Sequence, residues 1–186
     1  MLVVWITYLQ LLLIQFRAGR RSSILITRAA GKGMRSRCLV TNMSSQPLYV
    51  TSLIATLHFG DRQVELALTD LRDLPEDLGN DPRSKMGQGS LNTGQYLDIG
   101  HFDEIVTVML EGSDDVSATV EDVTQLDLMV VALYAPESLP VGAFRRFQFD
   151  RDIPRGPKVT PLNVRTEQIR SKRRRRELLE KVRHHT

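Results

Sequence analysis

Leu48-Tyr49-Val50-Thr51-Ser52-Leu53-Ile54-Ala55-Thr56-Leu57-His58-Phe59, followed by Gly60-Asp61 and then by Gln63-Val64-Glu65-Leu66-Ala67-Leu68, decides the fold class. The first run sets Val, Ile, Thr and aromatic residues among its leucines, and β-branched and aromatic side chains suit a pleated sheet better than a helix. Gly60-Asp61 has the composition of a tight turn, and after it Val64, Leu66 and Leu68 alternate with Glu65 and Ala67. A period of two sends one set of side chains to a core and the other toward water. The stretch therefore reads as two paired strands with one buried face.

Similar runs lie on both sides. Ser23 to Arg28 and Arg35 to Asn42 are expected strands, separated by the turn material Ala30-Gly31-Lys32-Gly33, and Ser44-Ser45-Gln46-Pro47 leads into Leu48. Residues 69–92 mix Asp70, Asp73, Glu76, Asp77 and Asp81 with Pro75, Gly79, Pro82, Gly87 and Gly89, which predicts a long loop holding at most a short helical turn. Pairing resumes over Gly94 to Ile99, Phe102 to Leu110 fits a strand or a short helix, and Glu111 to Thr119 reads as a polar loop. Gln125 to Tyr134 is almost continuous in Leu, Met and Val, as a central strand is. Pro136 and Pro140 end it, and Val141 to Phe149 completes the set with Phe147 and Phe149 on one face. About seven or eight short strands predict a mainly β domain over residues 22–150, an immunoglobulin-like two-sheet β-sandwich.

The stretch Cys38-Leu39-Val40-Thr41-Asn42-Met43-Ser44-Ser45-Gln46-Pro47-Leu48-Tyr49-Val50 resembles the strand, Asn-small turn, Pro, strand arrangement of immunoglobulin-like domains in bacterial surface and membrane proteins. The inter-sheet disulfide and core tryptophan of antibody domains are absent, because Cys38 is the single cysteine and Trp5 the single tryptophan. The resemblance implies a fold and no functional residue. Asn42-Met43-Ser44 also matches a glycosylation acceptor, relevant only in a secretory lumen.

Met1 to Phe16 carries no charge, and Thr7, Gln10 and Gln15 are its polar non-aromatic residues. As a helix it spans roughly 24 Å against a hydrocarbon core of roughly 30 Å. A secretory signal needs bases before the apolar run and small residues after it, whereas here the bases follow. A buried core helix is a second reading of a segment this short. The expected reading is an N-terminal transmembrane helix with its basic stop over residues 1–21, lengthened by a snorkelling Arg17. Trp5 and Tyr8 belong at the outer interface. Arg17, Arg20, Arg21 and Arg28 follow the helix with no base before it, which puts the N-terminus outside and the body in the cytoplasm of a bacterial inner membrane. Gln10 in lipid favours pairing across helices, hence a homo-oligomer. A start codon placed downstream of the true one would also explain the shortness of the span.

At the other end, residues 151–163 have linker composition and 164–186 read as a basic helical tail, with Asn163 as its cap and Glu167 in its first turn. Arg170, Lys172, Arg173, Arg174, Arg175 and Arg176 lie all round that helix, and Ile169, Leu178, Leu179 and Val182 supply a short apolar patch. Such a tail is a solvated extension, a contact for anionic lipid worth about 1 kcal/mol per base, or a site for nucleic acid or an acidic partner. Without aromatic residues it has nothing to stack on bases.

Residues 1–60 hold seven bases and no acid, residues 61–149 six bases and seventeen acids, and residues 150–186 twelve bases and five acids, so an acidic body lies between basic ends. A single cysteine excludes an intrachain disulfide and a cysteine zinc cluster. His101 is the one histidine beside carboxylates, near Asp98, Asp103 and Glu104, and a cation there would need further ligands from other elements. Gly31-Lys32-Gly33 and Gly87-Gln88-Gly89 lack phosphate-loop spacing, and the Asp70 to Asp81 loop lacks the ligand pattern of a calcium loop. No metal, cofactor or catalytic residue is expected. The expected function is a single-pass membrane-anchored protein whose cytoplasmic β-sandwich serves as a protein-binding or scaffolding module, with bilayer lipid and a protein as partners. The alternative is a soluble nucleic-acid-binding protein acting through the Arg-rich tail.

Overall fold

The computed structural model describes residues 1–19, 21–71, 83, 86–113, 118–151 and 156–184. Two sheets form the body. The smaller joins β1 (Ile24–Ala29), β2 (Arg37–Asn42) and β6 (Tyr96–His101) in the order β1-β2-β6. The larger runs β10-β8-β7-β3-β4, from β3 (Leu48–Phe59), β4 (Arg62–Ala67), β7 (Gln125–Tyr134), β8 (Val141–Asp150) and β10 (Glu167–Ile169). β5 (Gly89–Leu91) adds to β3, and β9 (Lys158–Pro161) adds to β8. Every pairing is antiparallel.

The β3–β4 hairpin closes Phe59 on Arg62 across Gly60-Asp61, and Gly60 takes the positive φ of +57° that the tight turn requires. β3 carries a register shift between Val50 and Ser52, one extra residue opposite β7. Strict alternation would put Val50 and Leu53 on opposite faces; the bulge returns both to the core, where both are fully buried. The core lies between the sheets, with Ile24, Ile26, Cys38, Val40, Leu97 and Ile99 on one side and Leu57, Leu126, Leu128, Val130, Ala143 and Phe147 on the other.

α1 (Leu2–Gly19) precedes the body, α2 (Leu68–Leu71) follows β4, α3 (Phe102–Glu111) follows β6, and α4 (Lys172–His184) ends the described chain. α3 resolves the ambiguous 102–110 segment as helix. Phe102, Ile105, Val106 and Met109 recur at helical spacing, all are buried, and the Phe102 and Phe147 rings meet edge to face with centroids 4.9 Å apart. α4 covers part of the outer face of the larger sheet, where Leu178 joins Ile54, Val131 and Ile169 in a second apolar cluster flanked by Met129 and Val182.

Most expected strands are present within two residues of their expected ends. Three differences have physical causes. Leu68 leaves the β4 alternation to begin α2 with its side chain still buried. The 151–163 stretch expected as a linker contains β9, because Phe149↔Val159 pairing buries Val159 in the main core. Glu167–Ile169 is strand rather than helix, since pairing with Gly142–Phe144 buries Ile169 on the sheet and delays the helix to Lys172. The acidic 69–92 loop and the 111–119 loop fall partly outside the described residues.

Candidate functional site

α1 is built from side chains that prefer an apolar solvent, yet every one from Met1 to Ile14 is exposed and none joins a core cluster. Trp5 is 71% exposed and Tyr8 60%, their rings in edge contact at 6.5 Å on one side of the helix. Gln10 is exposed as well, and Thr7 returns its hydroxyl to the Val3 carbonyl at 2.9 Å. The reading of a helix buried in its own core is thereby overturned. Among the described residues no helix is long and apolar enough to cross a membrane. The expected transmembrane helix is not found, because the uncharged part of α1 covers only about 23 Å before Arg17. Arg17 lies in the last turn of α1 with its side chain outside the described residues, as Arg20 is altogether; Arg21 is exposed.

Five residues after Gly19 the chain enters β1, the edge strand of the smaller sheet. A bare edge is a row of unpaired backbone groups. Here it is closed by side chains. Gln168 accepts from the Ile24 N–H at 3.0 Å and donates to the Ile24 carbonyl at 2.6 Å, while Thr166 accepts from the Ile26 N–H at 2.9 Å and donates to its carbonyl at 3.1 Å. Buried Arg145 reaches out of the core to the Ile26 carbonyl and to those of Asn163 (3.2 Å) and Val164 (3.5 Å), with no carboxylate among its described partners. Its burial depresses the guanidinium pKa. Together these bonds stitch the 163–168 segment along β1 and leave a cleft of about 520 Å³ beside the edge, whose lining includes Arg165 and Arg170 together with Leu25, Met43 and Val164. The sequence reading selected Arg170 but missed Arg165, Met43 and Val164, which only pairing across distant segments brings together.

The basic tail is a docked helix, not a loose one. Arg175 is buried, donating to the Ile169 carbonyl at 3.2 Å and pairing with Glu137 at 2.9 Å. Arg174 pairs with Glu167, Arg173 with Glu177 at 3.1 Å, and Lys181 with Glu65 at 2.6 Å. Arg170, Lys172 and Arg176 are exposed and make no ion pair among the described residues. Bases expected all round a helix are thus sorted: one face holds the sheet and the other meets water.

The remaining chemistry-bearing groups are engaged locally. His101 Nδ1 lies 2.6 Å from the Arg35 carbonyl, and Glu104 accepts from the His101 N–H at 3.0 Å, so the pair closes the start of α3. Among the described residues no three His, Cys, Asp or Glu side chains are placed to share a metal ion. Burial pushes the Cys38 thiol up to about 12, with Asp98 adding to the rise and Arg145 opposing it. Asn42 is fully buried, donating to the Gln46 and Leu91 carbonyls at 2.9 Å each and accepting from the Ser44 N–H at 2.8 Å. That amide is consumed by the β2–β3 turn and closed to glycosylation in the folded chain.

A polar row unremarked in the sequence crosses the outer face of the larger sheet. Arg146 grips Asp127 through two bonds of 2.9 and 3.0 Å, and His58 Nε2 lies 3.3 Å from the same carboxylate without hydrogen-bond alignment. The grip on Asp127 raises the Arg146 pKa. No protein-family model, curated protein or solved structure matches the chain.

Proposed function

We propose that the protein is a membrane-attached binding module: α1 enters the bilayer, and the sandwich stays at the membrane surface on the cytoplasmic side. The observation that carries this reading is α1 itself, apolar on all sides and withdrawn from the core from Met1 to Ile14. A helix that met one protein surface would need one apolar face, whereas apolarity all round suits a solvent that is apolar all round. A single pass with the N-terminus outside follows from the bases on the C-terminal flank, and Arg17 together with local thinning of the bilayer makes up the missing length. Gln10 then faces lipid unless it meets a second copy, which supports association through α1.

The body suits binding more than catalysis, since its His101 and Glu104 cap a helix and its thiol stays protonated. Tyr49 and Leu133 face each other across β3 and β7 and are both exposed, the kind of aromatic and aliphatic surface that protein partners take. An immunoglobulin-like classification belongs to the same proposal, supported by two antiparallel sheets over one core; the sheets count three and seven strands where the constant-type domain has three and four. The nucleic-acid alternative is weakened by Arg174, Arg175 and Lys181, which face carboxylates of the body and the neighbouring strand.

Flotation of the full chain with phospholipid vesicles tests the reading. The protein is expected to float with vesicles through a high-salt wash and to leave them only with detergent. Leu9→Lys with Leu12→Lys, which alters exposed positions alone, is expected to abolish flotation without lowering Tm. Release of the unaltered protein by salt would reject it.

A further inference from the structure

The cleft beside β1 lies close to wherever α1 meets the membrane. Ser23, on the cleft wall, follows Gly19 by four residues, and four extended residues reach no more than about 14 Å. The interfacial layer on one side of a bilayer is itself about 5–7 Å deep. If α1 enters lipid as proposed above, its own chain holds the cleft at the headgroups. We infer that this cleft takes the phosphate of an anionic phospholipid from the same leaflet, an assignment that rests on the membrane reading of α1.

The chemistry of the wall fits that ligand. Arg165 and Arg170 are exposed and carry no ion pair among the described residues, unlike Arg174 and Arg175 a few positions on, and no acidic side chain is among the described residues of the wall. Two guanidiniums supply forked donors suited to phosphate oxygens. The frame that spaces them is rigid, because Thr166 and Gln168 spend their polar groups on the β1 edge and Arg145 ties down Asn163 and Val164.

The apolar part of the lining separates a lipid phosphate from a soluble one. Val164 and Met43 line the cleft and are 97% and 56% exposed, and Leu162, two positions before Val164 in the chain, is 47% exposed. Apolar side chains thrust from loops next to a cationic cleft are costly in water and favourable among acyl chains just below the phosphates. A nucleotide would want a ring to stack on, and the described wall holds no aromatic residue.

The test compares the full chain with an Arg165→Gln, Arg170→Gln variant on two vesicle types, one of zwitterionic phospholipid and one doped with anionic phospholipid. The unaltered protein is expected to bind both, the doped vesicles about thirtyfold more tightly if two bases act close to an anionic surface. The variant is expected to keep its Tm and its binding to zwitterionic vesicles while losing most of that preference, and Val164→Glu to reduce it as well. Retention of the full preference by the double variant would overturn the assignment. Inorganic phosphate or glycerol phosphate is expected not to compete; displacement by either at equal affinity would make the ligand a soluble phosphate and overturn the lipid part. Failure of the unaltered protein to bind zwitterionic vesicles would instead remove the membrane reading on which the inference stands.

Discussion

Cys38 shows how far burial alone reshapes a residue. It sits on the core face of β2, fully buried, and its thiol pKa rises from 9.0 to about 12, with desolvation as the largest cause. Above pH 9 the unfolded chain has lost a proton that the native chain retains, so stability falls as pH rises from 9 to 12. The slope from this one group is about 1.4 kcal/mol per pH unit. Urea unfolding across that window is expected to show a shallower decline for Cys38→Ala than for the unaltered chain; equal slopes would mean that the thiol ionises in the native state. The inertness of this cysteine was legible in the sequence, since a lone thiol in an apolar strand is usually a small buried hydrophobe. Arg145 was not legible. It occupies a core-facing position of β8, between Ala143 and Phe147, where alternation calls for an apolar side chain. Among the described residues, the carbonyls of Ile26, Asn163 and Val164, distant in sequence, make a guanidinium acceptable there.

At the scale of elements, α4 is the part whose structure departs most from its composition. Four consecutive arginines suggest a helix repelled from any core, but Arg175, Leu178 and Val182 share one face and seat it on the larger sheet. The seat is a glycine. A methyl group at Gly142 would come within 2.6 Å of Leu178 Cδ1 and 3.2 Å of the Val130 carbonyl. Leu178→Ala is expected to cost about 2–4 kcal/mol. Gly142→Ala is expected to be destabilising alone but markedly milder in the Leu178→Ala background, and strict additivity of the two in urea unfolding would contradict the seating described. Composition made the long strands legible, because Leu48–Phe59 and Gln125–Tyr134 are long runs of apolar and β-branched residues whose central parts are buried on both faces. It could not reveal β9 or β10, which are too short to carry a period and exist through pairing with β8. For α3, the spacing of Phe102, Ile105, Val106 and Met109 was present in the sequence but too brief to separate helix from strand.

For the whole molecule, the segregation of charge and apolarity along the chain has a spatial counterpart. The first sixty residues hold bases without acids, the apolar helix they flank leaves its side chains from Met1 to Ile14 in solvent, and the two-sheet body completes its core without them. That α1 stands apart from a core was legible from its uniform apolarity and basic stop. The cleft beside β1 was illegible, as it is assembled from residues 23–25, 43 and 164–170, which share no motif and meet only through strand pairing and side-chain bonds. If α1 enters a bilayer as proposed, Trp5, the only tryptophan in the chain, enters with it. In lipid-free buffer its emission is expected at the red wavelengths of a solvated indole and open to quenching by acrylamide, as its exposure requires. On addition of vesicles a blue shift, protection from acrylamide, and quenching by lipids brominated on their acyl chains are expected. An unshifted emission that remains open to acrylamide in the presence of vesicles would contradict the entry of α1 into lipid.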